Sequence, residues 1–532
     1  MVRFVRLLSP LLALAGVLAA ASACSLRYDP DDLGQGDDES GGGDQTPDAG
    51  PDDLFVHRVF PSEVFEGEGF AADPDDQTTV RAIPMVLFGQ NMTPDTRVTV
   101  SGDGFLLREV EAQVSPDGAW AAFELRMPLV EDSSEARDVE LRISLVKGAE
   151  MHETTVVHHL LPELAPVPQT PGGTVTLSPD SLKVDSAGVA RFSRVDLRGN
   201  VLAGQGGPLR LFAYAGISVT GVLNASGNGA EPGAGGCAGG DVGLNAACGD
   251  GSGGAGASAA VGVGGGGGGG FGTEGRTGLG DAKGGGDPGE ATGDPSLVPM
   301  PPSGGGVRPA GGGGGGKGAL DAGGTPGGGS GGVIELTTPG LFSLSAAVQV
   351  DGAAGTDCPS LDPGGAGGGG SGGALMLRAG SLVVGSGGAT LEAVGGRGGT
   401  CSAGDGGKGG AGRIRLDLPA AGAITADPPA FVGPAFVMSE IPVVTTDSAL
   451  PVEIRGEPGG SYQLLVISPD TATDDERTRT EAVATPGPDG VGEKTVELSQ
   501  GFNRLCLRVV PDADPDSQPE AANCLNVAYI SR

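Results

Sequence analysis

The sequence predicts an all-β chain in which a glycine-rich parallel β-helix is flanked by two β-sandwiches. Three observations predict it. Glycine supplies 104 of 532 residues and aromatic residues only 4%, and no strict Gly-X-Y period exists, which excludes collagen. Four segments repeat one template of double-glycine corner, strand, turn and strand. On both sides of them, short apolar alternations are separated by turn-forming residues.

The chain opens on a targeting pattern. Arg3 and Arg6 are followed by an apolar run from residue 7 to 20, and Ala21, Ser22 and Ala23 precede Cys24. The run is short for a membrane-spanning helix. This ending resembles the lipobox of bacterial lipoproteins, with Ala21 where leucine is usual. The resemblance implies a signal peptide over 1–23, a diacylglycerol on Cys24 and a lipid bilayer as partner. Ser25, in place of aspartate, implies the outer membrane of the cell envelope. Residues 24–54 are acidic and rich in glycine and proline, and are expected as a flexible tether because they lack apolar side chains to offset ordering entropy. A calcium-binding tract is the alternative there.

Cysteine parity agrees. Seven cysteines leave one sulfur over in an oxidising compartment. With Cys24 lipidated, six remain: Cys237, Cys248, Cys358, Cys401, Cys506 and Cys524, sequence neighbours in three expected disulfides. The 66 acidic and 32 basic residues give a net charge of −34, which would repel a phosphate backbone and excludes nucleic acid as a partner.

Residues 55–165 read as a first β-sandwich. Met85-Val86-Leu87-Phe88, Arg97–Val100, Ala121–Met127 and Val139–Leu145 carry strand patterns, with turns at Pro94-Asp95, the Ser101–Gly104 run and Pro116-Asp117-Gly118. The stretch from Phe60-Pro61 to Gly67, followed by VLFGQNMTPDTRVTVSG, resembles the IPT/TIG immunoglobulin-like family, which carries no catalytic residues. Pro162, Pro166, Pro168 and Pro171 then mark a stiff linker.

The β-helix is expected over 173–425. Its repeats begin at Gly206, Gly331, Gly372 and Gly410, so the last three start 41 and 38 residues apart. Each reads as three strands, such as Val333–Leu336, Leu341–Leu344 and Val348–Val350. Such a unit buries its apolar side only by stacking on copies of itself. Stacking would align Ile334, Leu375 and Ile414 in one inward column and Leu336, Leu377 and Leu416 in another. It would also bring Cys358 beside Cys401, and it leaves Arg378 facing outward, where replacement by aspartate should be nearly silent. The repeats resemble glycine-rich solenoids of bacterial surface proteins and autotransporter passengers. The low-complexity insert at about 230–330 has two readings: an unstructured segment, or extended polyglycine helices that pair laterally through bare backbone.

A second sandwich is expected over 438–532, with strands at Val452–Ile454, Tyr462–Ile467, Lys494–Leu498, Asn503–Val510 and Leu525–Ile530. VELSQGFNRLCLRVVPDAD resembles small immunoglobulin-like modules of bacterial surface proteins and glycan-acting enzymes. Alternation puts Cys506 with Arg504 and Arg508 on the polar face, opposite Leu505, Leu507 and Val509, as a cross-strand disulfide to Cys524 requires.

Reactive chemistry is thin. HETTVVHH spaces His152 and His158 by six where a zinc protease helix needs four, so His57, His152, His158 and His159 are read as ordinary strand histidines. Asp512, Asp514 and Asp516 have the rhythm of a calcium loop, but Ser517 and Asn523 stand where that loop needs glycine and glutamate. No nucleophile elbow or phosphate loop is present, and no cofactor is implied. Arg378, Arg413, Arg415 and Asp417 are the exceptions among outward positions of mostly Ser, Thr, Ala, Gln and Gly. The expectation is a non-enzymatic envelope protein, structural or adhesin-like, a rod with immunoglobulin-like end modules and with glycans or other surface proteins as partners. The alternative is a carbohydrate-binding or carbohydrate-cleaving β-helix.

Overall fold

The computed structural model describes residues 53–531 except 69, 74–75, 103–104, 129–135, 167–172, 186–187, 247–250, 258–262, 281–283, 295, 298–308, 310, 313–322, 360–363, 420–423, 438–440, 469–477, 481–483 and 510–522. The targeting segment, the tether and Cys24 therefore lie outside the described residues. So do Cys248, Asp512, Asp514 and Asp516.

The chain is all-β. In its centre every strand pairing is parallel. Glu163–Leu164, Ala190–Leu197, Leu209–Val219, Val333–Leu344, Ala374–Val384, Arg413–Asp417 and Phe431–Val432 form a seven-stranded sheet in chain order. Thr174–Leu177, Asn200–Ala203, Leu223–Asn224, Ala347–Gln349, Ala389–Glu392 and Ile424–Asp427 form a six-stranded one. The chain visits the two sheets alternately, so each coil adds one strand to each, as in a β-helix. The first two strands expected per repeat are one strand here, Val333–Leu344, whose register slips between Thr338 and Leu341. Pro339-Gly340 lies at the slip, where proline brings no N–H to the ladder.

The inward columns are packed between the sheets. Ile334 pairs with Leu375 and Leu375 with Ile414, while Leu336, Leu377 and Leu416 form the parallel row. All six are at most 2% exposed and share one apolar cluster with Leu209 and Leu211 of the preceding coil. The outward side differs from expectation. Arg378, Arg415 and Asp417 are 4%, 2% and 0% exposed, because parts of the chain remote in sequence cover this face. Phe271 and Leu297 of the insert pack on Val333, Ala374 and Met376, and Arg415 Nη1 donates to Ser296 O at 2.8 Å.

The described glycine-rich segments follow the ordered reading. Along 265–270 successive N–H groups take three directions in rotation. Residues 266 and 269 donate to Ala366 O and Gly369 O, residues 267 and 270 to Gly254 O and Gly251 O, and residues 265 and 268 to Leu279 O and Arg276 O. A neighbour met at every third residue is the signature of an extended helix with about three residues per turn. The coil corners join the same bundle. Residues 366, 369 and 372 donate to Gly404 O, Gly407 O and Gly410 O, and residues 406, 409 and 412 to Gly399 O, Gly396 O and Ala393 O. Glycine is required because a Cβ at Gly268 or Gly369 would stand closer than 3.0 Å to a neighbouring carbonyl oxygen.

Two further units flank the solenoid in sequence. The first has five-stranded sheets ordered Phe55–Phe60, Asp76–Gln90, Trp120–Pro128, Ala112–Val114 (with Phe70–Asp73 on Asp76–Gln90) and Glu63–Phe65, Glu150–Leu160, Arg137–Lys147, Arg97–Gly102, Phe105–Val110. One apolar cluster draws on both, with Met85, Leu87 and Phe123 from one sheet and Leu141, Ile143 and Leu145 from the other. The last unit pairs a three-stranded with a five-stranded sheet around Val452, Ile454, Leu464, Leu505 and Val527.

Cys506 is joined to Cys524 across the neighbouring strands Gly501–Val509 and Cys524–Tyr529. Cys358 and Cys401 join successive coils. The first bridge spans 18 residues, and its loss in Cys506→Ser/Cys524→Ser is expected to cost about 3 kcal/mol through the freed unfolded chain. Urea unfolding of the two proteins measures it; equal midpoints would show that the paired strands need no covalent link.

Candidate functional site

Charged side chains from all three units meet at one place, and short sequence features bring them there. After Glu63–Phe65 the chain turns at Glu66 and Gly67, where φ is +81°. A side chain at residue 67 would come within 3.0 Å of the backbone of Ala215 in the solenoid, so only glycine allows this approach. Phe65 stacks on Tyr214 with ring centroids 5.0 Å apart and on His159 at 4.7 Å. Arg81, buried in the long strand Asp76–Gln90, donates from Nη2 to Ala215 O at 2.8 Å. Burial pulls its guanidinium down to about 10.

Around this contact lie ionisable groups withdrawn from water. His158 Nε2 is 3.0 Å from Glu66 Oε2, with both side chains buried. Glu68 Oε2 accepts the N–H of Phe65 at 2.9 Å. By exposed area Glu68 is only partly buried, yet loss of water around its carboxyl pushes it above the ordinary carboxylate value, against the pull of that hydrogen bond, Arg504 and His159. Burial raises the Tyr214 hydroxyl and lowers the Arg504 guanidinium. Arg191 lies over the Phe212 ring at 5.0 Å and bonds Asp185 at 2.9 Å. Partners of this kind fix one relative geometry, because any other would leave a charge buried alone. The arrangement is that of a joint between units.

Its sign with pH follows. A carboxyl raised in the folded state contributes stability below its unfolded pKa and loses it as pH rises through the folded value. Glu68→Gln keeps an acceptor for Phe65 and removes the charge. It is expected to be more stable than the parent at pH 7, with the difference closing below about pH 4. Thermal unfolding at both pH values tests this; a variant less stable at pH 7 would show that the carboxylate favours the joint.

A second contact ties the first and last units together. Val86 and Ala122 pack against Phe502, Ala528 and Ile530, with Phe60, Phe88, Trp120 and Val444 around them, and Phe60 meets Phe502 at 4.6 Å. This corrects the expectation of separate modules at the two ends of a rod. It also corrects the polar face assigned to Cys506: that face of Gly501–Val509 carries Phe502 and Arg504 into the contacts with the first unit, and Cys506 itself is 1% exposed. Apolar side chains at alternating positions sought a partner that strand periodicity alone did not name.

Other sequence candidates fall elsewhere. Cys237 is buried, takes part in a disulfide and donates its N–H to Ser330 Oγ at 2.8 Å. Asn523, placed by sequence in an acidic loop, is buried and donates to Asp417 Oδ2 at 3.3 Å. Arg413 donates to Thr292 O at 2.8 Å. His152 meets Phe55 edge-on, His57 does the same, and His159 pairs with Asp138 at 2.8 Å. Among the described residues no group of three or more His, Cys, Asp or Glu side chains is placed to hold a metal ion. Sequence reading missed Glu66, Glu68, Arg81, Tyr214 and Arg504. The available signal was Arg81, a charge inside the apolar strand VRAIPMVLF.

No family model matches the chain, and no curated protein matches it. One solved structure is similar: the TIG domain from human nuclear factor of activated T-cells, cytoplasmic 4, at 20% identity over 22% of this chain and 94% of that one, with a TM-score of 0.15.

Proposed function

We propose that the protein is a non-enzymatic lipoprotein of the bacterial cell envelope, held at the outer membrane by lipid on Cys24, and that it serves as a structural or adhesin-like surface protein. In this reading the first unit is an IPT/TIG-like domain and the last an immunoglobulin-like sandwich, each with an apolar core between two sheets. The observation that carries the proposal is the pairing of Cys358 with Cys401 and Cys506 with Cys524. Such bridges belong to oxidising compartments, and an apolar leader ending at Cys24 supplies both an export route and a use for the odd sulfur. Burial of Arg378, Arg415 and Asp417 in ion pairs favours a scaffold over a carbohydrate-cleaving groove, where acidic and basic groups must face a substrate. Glycans or other surface proteins are the proposed partners.

Metabolic labelling with a palmitate analogue should mark the parent and not Cys24→Ser, and external protease should digest the parent on intact cells if it faces outward. Equal labelling of both, or a mature N-terminus other than residue 24, would overturn the lipoprotein reading. A glycan array and a cell-adhesion assay on the purified mature protein then separate an adhesin from a purely structural role.

A further inference from the structure

The first unit contains a strand position that its own described residues leave open. Trp120–Pro128 pairs along its whole length with Asp76–Gln90, from Phe88 opposite Trp120 to Val80 opposite Pro128. On its other side Ala112–Val114 covers only Ala121, Ala122 and Phe123. Beyond that point the preceding chain crosses at Glu111 to the opposite sheet, where Phe105–Val110 pairs with Arg97–Gly102. From Glu124 onward, this edge of Trp120–Pro128 therefore has no strand partner among the described residues.

A cleft of about 700 Å³ lies alongside, within the range of ligand sites. Leu125 and Met127 of the open-edged strand and Val100 and Leu141 of the opposite sheet floor it, each at most 6% exposed. The lining also contains Glu109, Glu111 and Glu124; Glu124 is bonded to Arg126 at 3.0 Å and Glu109 lies 3.8 Å from Arg97 Nε.

We propose that this position receives an extended segment of a partner protein in which apolar and cationic residues alternate. An added strand would bond its backbone to the edge at residues 124–127. Its side chains alternate between two directions, so one set enters the apolar cleft between the sheets. The other set emerges beside Glu124 of the open-edged strand and Glu111 at the crossing, and lysine or arginine there matches them. The occupant is a cationic partner and not a second copy of this chain, because a net charge of −34 makes two copies repel and draws a basic segment in. The slot is lined by the first unit together with Val444 of the last, and it does not depend on lipidation of Cys24.

The test uses the purified chain and a short, end-capped, fluorescein-labelled peptide of alternating lysine and valine, read by fluorescence anisotropy at low salt. Controls are a peptide of the same composition with its lysines and valines in separate blocks, and one of alternating glutamate and valine. The alternating cationic peptide should bind at least tenfold more tightly than either control. Glu109→Lys/Glu111→Lys, two surface changes, should weaken it at least tenfold. Amide hydrogen exchange should slow within 124–127 when the peptide is added. Equal binding of the two cationic peptides would mean general attraction to an acidic protein and would overturn the proposal. So would undiminished binding to the double variant, protection confined to other segments, or no binding at all.

Discussion

Leu377→Asp is expected to destabilise the solenoid by about 3–5 kcal/mol. Leu377 is fully buried between Leu336 of the coil before and Leu416 of the coil after, and an aspartate there meets only apolar neighbours. Arg378, one residue on, is no longer a silent control. Its Nε donates to Asp417 Oδ2 at 2.9 Å, and Glu335 lies 3.9 Å from its Nη1. Arg210 binds Glu335 from the coil below and Arg415 binds Asp417 from beside it, so the ion pairs run across consecutive coils. Burial alone would raise the Asp417 carboxyl; Arg415 and Arg378 outweigh it and hold the group below its ordinary value. Its stabilising contribution is therefore present at neutral pH and lost as pH falls through the lowered value. Arg378→Asp sets a third carboxylate against Asp417 and Glu335 and is also expected to cost about 3–5 kcal/mol. Arg378→Met, which leaves Asp417 with Arg415, should cost less. Urea unfolding of the three variants reads the order. Leu377→Asp within 1 kcal/mol of the parent would mean that the column is not packed.

The contrast between these neighbours shows what the sequence made legible. Inward columns follow from periodicity, because Ile334, Leu375 and Ile414 recur at one place in each repeat and strand geometry fixes their direction. The same reasoning assigned Arg378 and Asp417 correctly to the outer side and wrongly to solvent. Periodicity gives a direction and says nothing of what later packs on that side. The cover came from Phe271, Leu297 and Ser296 in the insert and Asn523 in the last unit, all remote in sequence. The joint was hidden for the same reason. Glu68, Tyr214 and Arg504 stand in three different units, and no spacing links them. Besides Arg81, the local cue was Phe60 and Phe502, aromatic residues in a chain with few, the first at the end of its strand and the second near the start of its own.

The glycine pattern, by contrast, encodes depth in the bundle, and that leads to a second large effect. All of residues 264–270 are glycine and all are buried, because this segment is bonded on three sides and no direction is free for a side chain. In the next segment Thr273, Glu274, Arg276, Thr277 and Leu279 are exposed while Gly275 and Gly278 are buried. An outer helix with a three-residue turn needs glycine only at the third position that faces inward. Replacing an unstrained glycine with alanine commonly gains a little stability through the unfolded chain. Here the added Cβ of Gly268, Gly369 or Gly407 would press on the carbonyl oxygen of Lys408, Gly396 or Arg276 respectively. Overpacking of this kind costs about 1–3 kcal/mol per site. Gly369 N–H donates to Gly407 O and a Cβ at Gly407 would reach Gly268 N, so neighbouring losses need not add and the triple alanine variant should lose at least about 3 kcal/mol. Gly387→Ala, with nothing within 4 Å of its added carbon, should be neutral or slightly stabilising. Within the outer segment Gly278→Ala should destabilise, its Cβ meeting Gly265 O, while exposed Thr277→Ala should not. Urea midpoints within error for the triple variant and the parent, or equal losses at residues 277 and 278, would show that the glycines are not packed backbone to backbone.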